Sequence, residues 1–165
     1  MKRKLLCTLL TLAMLLSLPA CTKKEDYRSD LSSEDLAEAA TDALGQEVNY
    51  LSPPVDFLSD FFTSPDFAEQ ISLRRADVGN NLDEFGVFRV TAGNAAAMET
   101  ILRGYLSASY EQNADWYDSY IPHETPKLRD AEVRSYGDYV VYAILDSEDR
   151  ATLFSAIEAQ LRQPK

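Results

Sequence analysis

Few residues could carry catalysis in this sequence of 165 residues. His123 is the only histidine, so a Ser–His–Asp triad or a histidine-ligated zinc site would have to use it. It lies between Pro122 and Pro126 in a segment typical of a loop, and we expect a surface residue without a catalytic role. Phosphate-binding loops and the G-x-S-x-G and H-E-x-x-H motifs do not occur in the sequence.

Carboxylates are the commonest reactive groups, since 27 residues are Asp or Glu. Two carboxylates about 5–10 Å apart could hydrolyse a glycosidic bond, but an acidic chain offers many such pairs. Acids from Asp146 to Asp149 suit the start of a helix, and the oxygen-rich segment from Asp77 to Glu84 suits a hairpin turn better than a calcium site. We therefore expect no catalytic residue, no metal and no cofactor.

Three aromatic residues give the best indication of a binding site. Trp116, Tyr117 and Tyr120 lie close together at the end of a predicted helix. If exposed, they could stack on a sugar ring or anchor a protein partner, because Trp and Tyr are prominent in binding hot spots. Their three-and-four spacing favours another interpretation, in which Trp116 and Tyr120 close the end of the hydrophobic core.

The elements that position these residues form two similar halves, each with two strands and a helix. In chain order, they are strands 71–78 and 85–91, a helix capped by Asn94 and running to about Tyr120, strands 128–136 and 139–145, and a helix from Asp146 or Ser147 to about Leu161. A capping sequence at Ser32 begins an additional N-terminal helix, which ends at Gly45. We predict an α+β fold: a four-stranded antiparallel sheet with the helices packed on one face, preceded by this N-terminal helix.

The first residues of the chain predict export and lipid attachment. Basic residues at positions 2–4 precede an apolar run of sixteen residues from Leu5 to Ala20, shorter than the roughly 20 that span a bilayer. The sequence Leu18-Pro19-Ala20-Cys21 fits a lipobox, in which cleavage between Ala20 and Cys21 leaves the cysteine to carry a diacylglyceryl group. Two acyl chains hold a protein firmly at a membrane surface.

These features predict three parts of the chain: a signal peptide (1–20), a flexible tether (21–30) that begins with the lipidated Cys21, and a single domain (31–162). We expect the domain to lie on the extracytoplasmic face of the cell membrane. Cys7 lies in the signal peptide, so the domain has no thiol for disulfides or thiolate metal sites. Cleavage leaves 13 basic residues against 27 acidic ones, a net charge of −14. A nucleic-acid partner is therefore excluded, because its binding needs a basic surface.

Two spaced patterns follow the first of the aromatic residues. They are Trp116-x-x-x-Tyr120-x-Pro122-x-Glu124-x-x-Lys127-Leu128-x-x-Ala131-x-Val133 and Gly137-x-Tyr139-Val140-Val141. With them, the chain resembles, over roughly Leu31 to Leu161, a family of short lipoproteins of clostridia and related Gram-positive bacteria that contain a domain of unknown function. The resemblance implies a lipid anchor on a single membrane facing the cell wall. It implies no activity, because none is established for that family.

The sequence thus favours a non-catalytic module at the cell envelope that binds an envelope protein or a small ligand. The alternative is a small surface hydrolase that acts on cell-wall or imported glycans through carboxylates.

Lipidation gives the first prediction. Labelled palmitate will enter the wild-type protein and will not enter a Cys21→Ser variant, because the sulfur is the atom that is acylated. The measurement is radiolabel or click-reagent signal on the isolated protein, and equal labelling of the two proteins would contradict the lipobox.

Overall fold

The computed structural model describes residues 26–45, 47–58 and 63–164. Its elements, in chain order, are α1 (Ser33–Leu44), β1 (Tyr50–Leu51), a 3-10 turn (Val55–Leu58), β2 (Ala68–Ala76), β3 (Glu84–Val90), α2 (Ala95–Tyr120), α3 (Thr125–Arg129), β4 (Glu132–Tyr136), β5 (Tyr139–Ile144) and α4 (Ser147–Leu161). The strands form one antiparallel sheet in the order β1-β2-β3-β5-β4. The α+β class is confirmed, but the sheet has five strands instead of four, because Tyr50 and Leu51 pair with the end of β2.

Helices cover both faces of this sheet, so the prediction that they pack on one face is wrong. On one face α1 and α4 pack against Phe85, Val87 and Val141. On the other face α2 packs against Phe88 and Tyr142. The cause is the composition of the two central strands: all of β5 and all of β3 except Arg89 are buried. Strands that are apolar at consecutive positions need cover on both sides.

The helix starts were largely predictable from capping residues. Ser32 and Asp35 form a reciprocal capping box at α1, and Gly45 ends that helix with a φ of 85°. The Asp146 side chain accepts bonds from two backbone N–H groups at the start of α4. Asn94 does precede α2, but its side chain donates to Thr91 instead of capping the helix.

The segment between α2 and β4 differs from the prediction. Residues 128–131 were assigned to a strand, whereas Thr125–Arg129 form α3 and β4 begins at Glu132. Pro126 lies in the first turn of α3, where a missing N–H breaks no helical hydrogen bond. The segment between Pro122 and Pro126, predicted as a loop, is therefore a turn that leads into a short helix.

The described end of the predicted tether contacts the domain. The Tyr27 ring packs edge-on against Tyr136, 5.5 Å between centroids, and lies close to Gly137 in the turn between β4 and β5. The Arg28 N–H donates to the Leu161 carbonyl. The folded domain thus includes residues from Tyr27 onward. The predicted signal peptide, including Ala20, and the predicted lipidation site Cys21 lie outside the described residues. Among the helices that the structure describes, none is both long and apolar enough for a bilayer crossing.

α2 is much longer than the strands that it covers. Its 26 residues extend about 39 Å at the usual rise of about 1.5 Å, whereas the seven residues of β3 extend about 23 Å. The first half of the helix supplies the side chains that pack on the sheet, from Met98 to Leu106. Its second half therefore projects past the end of the sheet at which β3 begins.

Gly86 gives a prediction about this core. A Cβ at Gly86 would lie 2.4 Å from the Tyr142 ring and 2.8 Å from Leu73, so Gly86→Ala should lower the free energy of unfolding by about 1–3 kcal/mol. Gly104→Ala is the matched control, because its Cβ meets nothing within 4 Å and alanine favours the helix. Urea unfolding measures both, and a neutral Gly86→Ala would contradict the packing of Tyr142 on this glycine.

Candidate functional site

A cleft of about 250 Å³ lies where α2 leaves the sheet. One wall is a stripe of α2 at a spacing of four residues, and this stripe turns polar in the middle: Tyr105, Ser109, Asn113 and Tyr117. The sheet, the β2–β3 hairpin and α3 supply the other lining residues: Arg75, Leu82, Glu84, Leu128 and Ile144. The cleft therefore combines apolar walls with a few polar groups, which is typical of small-molecule sites.

Glu84 is the most unusual residue of the cleft, because its side chain is charged by type and only 6% exposed. The hydroxyls of Tyr105 and Tyr142 both donate to its Oε1, at 2.5 and 2.8 Å. Burial raises the pKa of Glu84, and the two hydroxyls and the nearby Arg75 charge oppose that rise. Burial also raises the pKa of both tyrosines, so they remain protonated donors at neutral pH.

A cluster of three ionic side chains holds the far wall of the cleft in place. Lys127 Nζ lies 2.7 Å from Asp83 Oδ1 and 3.0 Å from Glu124 Oε2, and both acids are buried. Burial alone would lower the pKa of Lys127, but the bonds to Asp83 and Glu124 outweigh it and raise that pKa. Glu124 also accepts from the Leu82 N–H at 2.9 Å. This Lys127 cluster thus joins α3 to the β2–β3 hairpin.

The predicted aromatic residues lie beside the cleft. Trp116 is 52% exposed and Tyr120 is 70% exposed, and their rings stack with centroids 5.1 Å apart. Tyr117 is half-buried, lines the cleft and contacts Trp116 edge-on. The interpretation that Trp116 and Tyr120 close the core is wrong, because they lie on the part of α2 that projects past the sheet. We call Trp116, Tyr117 and Tyr120 the aromatic rim.

The other candidates are not brought together. The His123 side chain is 70% exposed, as expected for a surface residue. The acids that were considered as calcium ligands have different partners: Asp83 binds Lys127, Glu84 binds two tyrosines, and Asp77 accepts from Asn49. Within the described ranges, no three His, Cys, Asp or Glu side chains are grouped as a metal ion would need.

Comparisons with family models, with curated proteins and with solved structures gave no match for this chain. The resemblance to the short Gram-positive lipoproteins therefore stays a prediction, and the geometry of the cleft carries the functional argument.

Sequence reasoning missed the residues at the base of the cleft. Glu84 was considered only as a turn oxygen, and no pairing of it with Tyr105 or Tyr142 was predicted. One signal was present: Ser109 and Asn113 continue the Tyr105 stripe with polar side chains, which a face packed on a sheet would not favour. The pairing of Tyr105 and Tyr142 with Glu84 depends on tertiary contacts across 21 and 58 positions of the chain.

The buried carboxyl predicts a specific pH dependence. Because the pKa of Glu84 is raised in the fold, its contribution to stability is fully present below the unfolded pKa of 4.5 and is lost as pH rises through the folded pKa. The free energy of unfolding of the wild type minus that of Glu84→Gln should therefore decrease as pH rises above about 4.5. Urea unfolding at a series of pH values measures this difference.

Glu99→Gln is the control for that series. Its hydrogen bond from Arg103 lowers the pKa of Glu99, so stability due to Glu99 is present above 4.5 and is lost as pH falls through its folded pKa. The two differences should have opposite slopes, and parallel slopes would contradict the assignment for Glu84.

Proposed function

We propose that this protein is a non-catalytic binding module, held on the extracytoplasmic face of the cell membrane by a lipid at Cys21, and that it binds a small ligand in the cleft. The observation that carries the proposal is the cleft itself, where a nearly buried carboxyl group, Glu84, lies among aromatic and amide side chains. A buried carboxyl group in a cleft, with its pKa raised by burial, is a typical feature of functional sites.

The arrangement of the lining residues supports binding more than hydrolysis. Among the described residues that line the cleft, Glu84 is the one that carries a carboxylate. Hydrolysis of glycosides normally uses two carboxylates on either side of the bond. The neighbouring acids of the hairpin and α3, Asp83 and Glu124, are bound to Lys127 and hold the wall of the cleft. Glu84 is itself oriented by two tyrosine hydroxyls.

The aromatic rim extends the surface available to a ligand. Tyr117 belongs both to the cleft and to the rim, and it lies about 18 Å along α2 from Tyr105. Exposed Trp and Tyr side chains provide large, rigid contact areas at low entropic cost. A ligand that contacts Tyr117 in the cleft therefore lies next to a residue whose ring touches Trp116.

Filling the cleft tests the proposal. Asn113→Phe places a ring in the cleft, whereas Gln112→Phe places the same ring on the exposed side of α2. The probes are separate panels of amino acids, monosaccharides and quaternary ammonium compounds, applied to the full-length protein in detergent micelles. Thermal shift and the emission of Trp116, the only tryptophan, report binding.

At least one panel should bind the wild type and Gln112→Phe with similar affinity and lose about tenfold or more on Asn113→Phe, because the new ring occupies the ligand volume. Binding that is equal in all three proteins, or no binding from any panel, would contradict the proposal.

A further inference from the structure

We infer that the ligand of this cleft is a neutral saccharide, with one sugar ring in the cleft and the next ring on the aromatic rim. This inference rests on the proposed function and names the class of ligand that the site takes.

The charges of the cleft are matched within the protein. Among the described residues that line it, Arg75 and Glu84 are the two with charged side chains, and they lie directly opposite each other on β2 and β3. Opposed residues have Cβ atoms about 5 Å apart on the same face of a sheet. Burial raises the pKa of Glu84 and the positive charge of Arg75 opposes that rise, so the two groups already interact. A ligand therefore needs no charge of its own to complete this pair.

Two polar atoms of the lining are positioned for a ligand with hydroxyl groups. The Asn113 amide donates to the Ser109 carbonyl at 2.9 Å, which leaves its oxygen as an acceptor. Burial raises the pKa of the Tyr117 hydroxyl, which therefore stays a donor at neutral pH. Within the part of the chain that the structure describes, neither the Asn113 oxygen nor the Tyr117 hydroxyl has a hydrogen-bond partner. A sugar hydroxyl both donates and accepts, so two neighbouring hydroxyls satisfy both atoms.

The apolar lining fits the carbon face of a sugar ring. Leu82 of the hairpin, Leu128 of α3 and Ile144 of β5 offer apolar contacts to its C–H groups. The cleft volume of about 250 Å³ equals about eight waters at about 30 Å³ each. This volume suits one sugar ring, so a second ring of the same saccharide lies outside the cleft.

The aromatic rim provides a surface for that second ring. Tyr117 belongs to the cleft and touches Trp116 edge-on, with ring centroids 5.4 Å apart. Trp116 in turn stacks on Tyr120, and both side chains are more than half exposed. The negative faces of such rings attract the weakly positive C–H groups of a sugar. A saccharide longer than one ring therefore passes from the cleft onto the rim.

Other ligand classes complement only part of this lining. An amino acid or a quaternary ammonium compound brings a charge that would compete with the interaction between Arg75 and Glu84, and burying an unpaired charge is costly. A wholly apolar ligand would cover the Asn113 oxygen and the Tyr117 hydroxyl without giving them partners. A neutral molecule with several hydroxyl groups on an apolar ring meets both conditions.

Matched sugars test the requirement for neutrality. The full-length protein, in a polyoxyethylene detergent without sugar head groups, is screened by thermal shift against glucose, galactose, mannose and N-acetylglucosamine. The best binder is then compared by titration calorimetry with its uronic acid, which adds a carboxylate, and with its 2-amino-2-deoxy form, which adds an ammonium. Each charged sugar should bind about tenfold or more weakly, because its charge has no counter-charge in the cleft. A charged form that binds as tightly as the neutral one would overturn the inference.

Two pairs of variants test the polar atoms. Tyr117→Phe and Asn113→Leu should each weaken binding of the neutral monosaccharide about three- to tenfold, the effect of one lost hydrogen bond. Their controls, Tyr120→Phe and Gln112→Leu, make the same changes outside the cleft and should leave that affinity unchanged. Equal affinities in all four variants would contradict the assigned hydrogen bonds.

Chain length tests the aromatic rim. The wild type should bind the disaccharide of the same sugar about tenfold more tightly than the monosaccharide, because the second ring gains the rim as a contact surface. Trp116→Ala should remove this preference and leave the affinity for the monosaccharide unchanged. The preference compares two probes on the same protein, so a loss of stability does not imitate its removal. A preference that persists in Trp116→Ala would overturn the placement of the second ring.

The outcomes separate the inference from the proposed function. Binding of an amino acid or a quaternary ammonium compound, sensitive to Asn113→Phe and without any saccharide binding, would overturn the neutral saccharide and leave the binding module intact. No binding from any panel would overturn both.

Discussion

A carboxyl group buried between a helix and a sheet needs hydrogen bonds, and Glu84 takes them from Tyr105 on α2 and Tyr142 on β5. Because Glu84 is the first residue of β3, these bonds place Tyr105 of α2 at the end of the sheet where β3 begins. Fifteen residues of the helix remain after Tyr105. Most of them project beyond the sheet, and this projection creates both the cleft and the aromatic rim.

The wall opposite α2 depends on a second set of charges. Residues 82–84 each bond through a different group: the Leu82 N–H to Glu124, the Asp83 carboxylate to Lys127 and the Glu84 carboxyl to the tyrosines. The hairpin is thereby held to α3 on one side and to α2 on the other. Removing one member of such a buried ionic group leaves the others without a partner, so the shape of the cleft and the stability of the hairpin are coupled.

Local signals predicted much of the fold. Ser32 with Asp35, Gly45 and Asp146 marked helix ends through short-range hydrogen bonds and glycine conformation, and these assignments were confirmed. Local signals did not predict that helices cover both faces of the sheet or that the aromatic rim is exposed. Helical spacing around Trp116 identifies one side of α2, but it contains no information on where the sheet beneath that side ends. The local sequence around Glu84 is likewise typical of a turn, and only the strand pairing places Glu84 at the start of β3, opposite Arg75.

The position of Tyr27 has a consequence for orientation. Tyr27 packs beside Gly137, in the turn that joins β4 to β5, whereas Glu84 pairs with Ile144 at the opposite end of β5. The six residues of β5 separate these ends by about 20 Å. Five peptide links from Cys21 to Asp26 can reach no more than about 18 Å. If Cys21 is acylated as we propose, the turn end of the sheet therefore lies nearer the bilayer than the end that holds Glu84.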